Sequence, residues 1–291
     1  MVSTSVLNCL MEISVLSFVF PVVILLAWKM RTHKSLVPAF AGIFVFLVFA
    51  KVLESVPYAL CLGMENPVSG VLRSNYILYA VYLGVAAAIF EEVGRYLAFR
   101  YFLPKYDECQ NAITYGIGHG GIECMIVLGW SDLQYYMTAI ILNNGKGLSD
   151  LPKTMQSYFK NLTAFDCIAD GISAVFLLVL QVCLSIFIFQ AVRNEKLQKR
   201  LFGLSMIFHM AFYIPNGFYQ AKLIPHIVSL LLELLITGIA LVLAVDIYKK
   251  MNANQTRKKS EQKRKESAEK GNVWNVASRK LTNLDEEKED K

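Results

Sequence analysis

Two adjacent carboxylates and a guanidinium, Glu91-Glu92 and Arg95, stand inside an apolar stretch of the sequence. The next apolar stretch carries the glycine-rich run Gly116-Ile117-Gly118-His119-Gly120-Gly121-Ile122-Glu123, and a later one carries His209, followed by Tyr213 and Asn216. At the centre of a membrane span a charged side chain costs about 2.5–3.5 kcal/mol, and it persists mainly where it is paired or used. Carboxylates and imidazoles together can deprotonate a water and neutralise the charge that develops on an amide oxygen, which is what peptide hydrolysis requires. His119 and Glu123 are four residues apart and share a helix face, as do Glu91 and Arg95, whereas Glu92 is turned about 100° from Glu91. One carboxylate can therefore pair with Arg95 while the other faces the interior. The glycines around His119 remove bulk, so a neighbouring helix can come close.

These residues need a scaffold that holds them in lipid. Of the 291 residues, 55% are hydrophobic and 18% charged, and the mean hydropathy is +0.43. A soluble domain of this size needs more polar surface. The pattern predicts an all-α, polytopic transmembrane bundle of about seven spans. They fall near Val6–Trp28, Leu36–Leu62, Tyr76–Phe102, Ala112–Trp130, Cys167–Val192, Leu201–Ala221 and Ile224–Tyr248. The second is overlong and contains Pro57, so a tilt or kink is expected there. With a rise of about 1.5 Å per residue from boundaries near Leu103, Gln110 and Arg200, Glu92 lies about 16 Å deep and His119 and His209 about 13 Å. Gln181 on the fifth span reaches a similar level. Three segments of different connectivity thus bring ionisable groups to one depth.

Basic residues set the expected orientation. Lys29, Arg31 and Lys34 follow the first span, Arg100 and Lys105 the third, and Arg193, Lys196, Lys199 and Arg200 the fifth, while the alternate loops are poorer. By the positive-inside rule the N-terminus is outside and the C-terminus inside a cell membrane. Residues 1–248 form the bundle and 249–291 a charged cytoplasmic tail that is too polar to fold alone and is expected to be disordered. Its block Arg257-Lys258-Lys259 and Lys263-Arg264-Lys265 either attracts anionic lipid headgroups or only anchors the topology, and no nucleic-acid partner is expected. Between the fourth and fifth spans, Ser131–Phe165 reads as the longest outer loop. A short helix is expected over Leu148–Leu162, with Asp150 and Pro152 at its start. The six cysteines are scattered without a CxxC pair and read as free, buried thiols.

Glu-Glu-x-x-Arg in one span, His-x-x-x-Glu in the next and a later intramembrane histidine resemble the CAAX-protease and bacteriocin-processing superfamily of intramembrane peptidases, and within it the YhfC-type membrane peptidases. The likeness covers most of Tyr76–Tyr248 and is sharpest over Phe90–Glu123. It implies that Glu91, or else Glu92, activates a water, that His119 holds that water directly or through a metal, and that His209 stabilises the oxyanion. Arg95, Glu123, Asn216 and Gln181 would be supporting residues. The superfamily position four residues after the late histidine is usually Asn or Asp and here is Tyr213. The span Cys167–Val192 brings Asp170 and Gln181, with Asp166 at its edge, but no histidine. Glu91, His119, Glu123 and His209 are suitable zinc ligands, though a metal-free glutamate peptidase fits the same residues. The partner implied is a peptide or membrane-protein substrate. Two other functions fit the residues: a catalytically inactive scaffold or immunity protein, and a proton-coupled transporter built on the buried Glu, Arg and His.

Overall fold

A computed structural model describes residues 2–145, 149 and 151–289; the side chains of Thr154 and of residues from 268 onward lie outside that description. Among the described residues there are nine helices and no strand. They are α1 (Thr4–Thr32), α2 (Val37–Gly63), α3 (Pro67–Ser74), α4 (Tyr76–Phe102), α5 (Gln110–Asn143), α6 (Lys153–Asn161), α7 (Ala164–Arg193), α8 (Glu195–Gln220) and α9 (His226–Glu289). Seven of these helices are long and apolar enough to cross a bilayer, α9 through its segment His226–Ser267. The chain is thus a multi-pass, all-α membrane protein.

Helix starts follow from local side-chain chemistry. Asn75 accepts from the backbone N–H groups of Ile77 and Leu78 to open α4, and Asn194 accepts from Lys196 to open α8. Thr163 and Asp166 close a reciprocal capping box on α7. Pro57 does not break α2. The turns before it widen to π-helix over Phe46–Leu53, and Glu54 N–H donates to the Phe49 carbonyl five residues back. That register ends at Leu53, the carbonyl a proline at position 57 would otherwise crowd.

Two segments depart from the sequence expectation. The fourth span does not stop near Trp130 but continues through a π-helical stretch, Cys124–Trp130, to Asn143, because Ser131–Asn143 retains apolar residues on a helical period. The short helix that follows is Lys153–Asn161, with Pro152 at its cap; Leu148 and Asp150 lie outside the described residues. The tail, expected to be disordered, instead continues the helix of the last span to Glu289. It is rich in strong helix formers and carries supporting pairs such as Arg257–Glu261 at 3.5 Å and Gln262–Glu266 at 2.9 Å. The chain divides into two units, Met1–Ile247 and Tyr248–Lys291. The six cysteines are free.

Within the first unit, α7 is the most deeply buried span, and α5 packs against both it and α2. Close approach is what the glycines supply. A Cβ on Gly118 would strike the Ala39 backbone of α2, and one on Gly42 of α2 would lie 2.9 Å from His119 N. On the opposite face, a Cβ on Gly116 would come within 2.6 Å of Val182 Cα, and one on Gly120 within 2.9 Å of Gln181 Cβ. The α5 backbone is thereby clamped on two sides at the level of His119. Gly118→Ala should therefore lower the melting temperature of the purified protein, through an overpacking penalty of about 1–3 kcal/mol. Gly203→Ala, in α8 where a Cβ meets open space, should leave it unchanged or raise it slightly.

Candidate active site

Four spans converge on one polar cluster in an otherwise apolar interior. Helix α4 supplies Glu91, Glu92 and Arg95; α5 supplies His119 and Glu123; α7 supplies Gln181; α8 supplies Ser205, His209 and Tyr213. All but Tyr213 are at most 2% exposed. Groups this dry need partners, and nearly every one has them.

Glu92 is saturated. Arg95 Nη1 donates to both of its oxygens at 2.8 and 3.0 Å, Ser205 Oγ donates to Oε2 at 2.5 Å, and His209 Nδ1 lies 2.7 Å from Oε1. The remaining reach of Arg95 goes across to α7, where Nη2 donates to Gln181 Oε1. The amide of Gln181 then donates from Nε2 to Glu91 Oε2 at 3.1 Å and to Glu123 Oε2 at 2.6 Å. Gln181 is thus the hinge pin between the ion pair and the other two carboxylates. Its orientation is fixed from both ends.

Glu91 differs from Glu92. Its Oε2 lies 2.8 Å from His119 Nε2 and 3.6 Å from His209 Nε2, whereas Oε1 accepts from no described residue. Spacing along the helix allowed Glu91 to pair with Arg95 at i,i+4, but the pair that forms is Glu92–Arg95 at i,i+3. Packing of α4 against α8 decides this, because Ser205 and His209 complete the Glu92 shell. His119 stands edge-on to Phe46 and stacked with Tyr115, so aromatic rings fix its plane. Glu123 accepts from Tyr213 Oη at 2.5 Å, and the Tyr213 ring lies against His209 at 5.5 Å.

One ligand atom each from Glu91, His119 and Glu123 lie within 4.8 Å of one another. His209 Nε2 is buried, without a hydrogen-bond partner among the described residues and 3.6 Å from Glu91 Oε2, while its Nδ1 is held by a carboxylate. A cation held by Glu91, His119 and Glu123 would offset carboxylates that stand close together in a dry interior, and His209 Nε2 stays available beside it. The donor set suits zinc. The residues present fit a metal.

Of the residues singled out in the sequence, Glu91, Glu92, Arg95, His119, Glu123, Gln181 and His209 meet here. Asn216 does not. Its side chain accepts from Gln220 at 2.8 Å, one turn farther along α8. Seven residues carry it roughly 10 Å along the helix from His209, past Tyr213, which fills the place beside Glu123. Ser205 was passed over, although Ser205, His209 and Tyr213 form an i, i+4, i+8 stripe readable in the sequence. Asp166 and Asp170 join a second cluster instead. Asp166 lies 3.1 Å and Asp170 3.4 Å from the two nitrogens of His226, whose ring stacks on Tyr219 at 3.9 Å. That cluster ties α9 to α7 and shares no residue with the first.

The chain is also similar to known membrane proteins. A family model described as YhfC intramembrane metalloprotease matches residues 16–237, which include every residue of the cluster. The chain is 26% identical over 241 residues to the uncharacterized membrane protein YhfC of Bacillus subtilis (strain 168), covering 80% of this chain and 90% of that protein. No solved structure matches it. The buried acid–imidazole cluster thus lies within a chain that belongs to the YhfC intramembrane metalloprotease family.

Proposed function

We propose that this protein is an intramembrane peptidase of the CAAX-protease and bacteriocin-processing type, hydrolysing a peptide bond in a membrane-embedded or membrane-proximal substrate. The observation that carries this reading is the asymmetry of two neighbouring carboxylates: Glu92 is saturated by Arg95, Ser205 and His209, and Glu91 keeps one oxygen free beside two imidazoles.

In this reading Glu91 Oε1 takes a proton from a water as its oxygen attacks the scissile carbonyl, and returns it to the departing amine. The products are a carboxylate and a new N-terminus. His209 in its imidazolium form gives Nδ1–H to Glu92 and Nε2–H to the oxyanion, with Glu92 and Ser205 fixing its plane. Glu91, His119 and Glu123 would hold a zinc ion, which supplies Lewis-acid polarisation and a more acidic water. Gln181 and Tyr213 keep Glu123 in place, and Arg95 balances the charge of Glu92. Basic residues at the ends of alternate spans support an orientation with the N-terminus outside.

The test is a comparison of new peptide N-termini in membranes from cells that produce or lack the full-length chain. Termini that appear within or beside transmembrane segments only when the chain is present are expected. Identical profiles contradict the proposal.

A further inference from the structure

Lys51 is a charge within a membrane span that takes no part in the hydrogen bonds of the cluster. It stands fourteen residues from the start of α2 and twelve from its end. At about 1.5 Å per residue that is roughly 20 Å of helix in either direction, beyond the reach of a lysine side chain seeking headgroups. Yet Lys51 is exposed, as are Val52, Leu53 and Val56 on neighbouring turns of α2. Glu54, one turn on, is within electrostatic reach of it but forms no ion pair within 4.0 Å among the described residues, and an unpaired charge at mid-span costs about 2.5–3.5 kcal/mol. Its Nζ stands 5.0 Å from the centre of the Phe46 ring, a cation–π contact, and the ammonium is also within electrostatic reach of Glu123 in the cluster. Phe46 in turn packs edge-on against His119, with ring centres 5.5 Å apart. The ammonium is one ring away from the cluster.

The course of α2 explains its exposure. Up to Phe46 the helix is clamped to α5 through Ala39 and Gly42. Beyond Phe46 it turns π-helical and exposes most of its residues. Lys51 therefore sits where α2 parts from α5 while still running along α4, at the lip of a cluster that is itself closed to solvent.

We propose that Lys51 is the specificity residue for the substrate, binding a carboxylate of the peptide close to the scissile bond. This rests on the peptidase reading above. The carboxylate is either an Asp or Glu side chain or the C-terminus of the substrate. A separation on the order of 10 Å between ammonium and cluster is covered by about three residues of extended chain, so the carboxylate lies roughly two to four residues from the cleaved bond. In a low-dielectric setting such a pair discriminates strongly against a like charge.

The experiment maps new N-termini in membranes containing wild-type, Lys51→Glu or Lys51→Met full-length protein. Wild-type sites should carry Asp, Glu or a chain end at a fixed offset from the cut. Lys51→Glu should deplete those sites at least tenfold and favour Lys or Arg at the same offset, and Lys51→Met should flatten the preference while cutting continues. Enrichment of side chains or of chain ends separates the two sources of the carboxylate. Wild-type cleavage without an acidic preference, or a preference unchanged in Lys51→Glu, overturns the assignment and leaves the peptidase reading intact. Absence of cleavage by the wild type overturns both.

Discussion

Glu91→Gln is expected to abolish cleavage, by a factor on the order of 10³ or more in kcat, while the protein still folds and inserts. The amide is nearly isosteric, and its oxygen can still accept from Gln181, so packing around α4 and α5 is retained. It cannot take a proton from water. General-base catalysis alone accounts for about 10²–10⁴ in rate, and the loss of an anionic ligand adds to that. The readout is turnover of a peptide spanning a cleavage site found in membranes, with reconstituted protein. The matching change Glu92→Gln has a different signature: the amide can no longer accept from Arg95, Ser205 and His209 together, so stability should fall along with activity. A chain whose cellular effect survives Glu91→Gln would be an inactive scaffold instead. Substrate flux across proteoliposomes that is lost in Glu91→Gln would mark a carrier.

Arg95→Ala should have the largest effect on stability. Arg95 is fully buried, and it supports Glu92 through Nη1 and Gln181 through Nη2. Removing it takes the permanent cation from Glu92 and the donor from Gln181 in an apolar bundle, and breaking one side of such a buried pair costs about 3–5 kcal/mol. The loss should appear as a strongly lowered melting temperature in detergent. Replacing both partners, Arg95→Met with Glu92→Met, should recover much of that stability, since the uncompensated charge is gone. It should not recover cleavage, because His209 then lacks the carboxylate that holds its ring. A double variant as unstable as the single one would show that Arg95 acts mainly through Gln181.

The contrast between these two carboxylates also shows what could be read from the sequence. Span number followed from hydropathy, and the meeting of Glu91, His119 and His209 followed from helical rise, because both depend on local periodicity. The choice of Glu92 over Glu91 as the partner of Arg95 did not. Spacings of three and four residues both suit an ion pair, and the decision lies with Ser205 and His209 on another helix. Asn216 was misplaced for a related reason. A seven-residue interval keeps a residue on the same face but carries it two turns away, and Tyr213 lies between. Lys51 and Glu54 escaped notice because an apolar span averages them away. The helical tail escaped because composition speaks to burial, whereas Lys-, Glu- and Gln-rich segments can be helical without burying anything.

Glu91, His119 and Glu123, with His209 beside them, are expected to form one metal-binding centre within the membrane bundle. Zinc-edge X-ray absorption on the purified full-length protein tests it most directly. About one zinc per chain is expected, with nitrogen and oxygen ligands at roughly 2.0–2.2 Å, imidazole scattering and no sulfur, and the signal lost in His119→Ala. A protein that cleaves without bound zinc, a shell containing sulfur, or a signal unchanged in His119→Ala would contradict it.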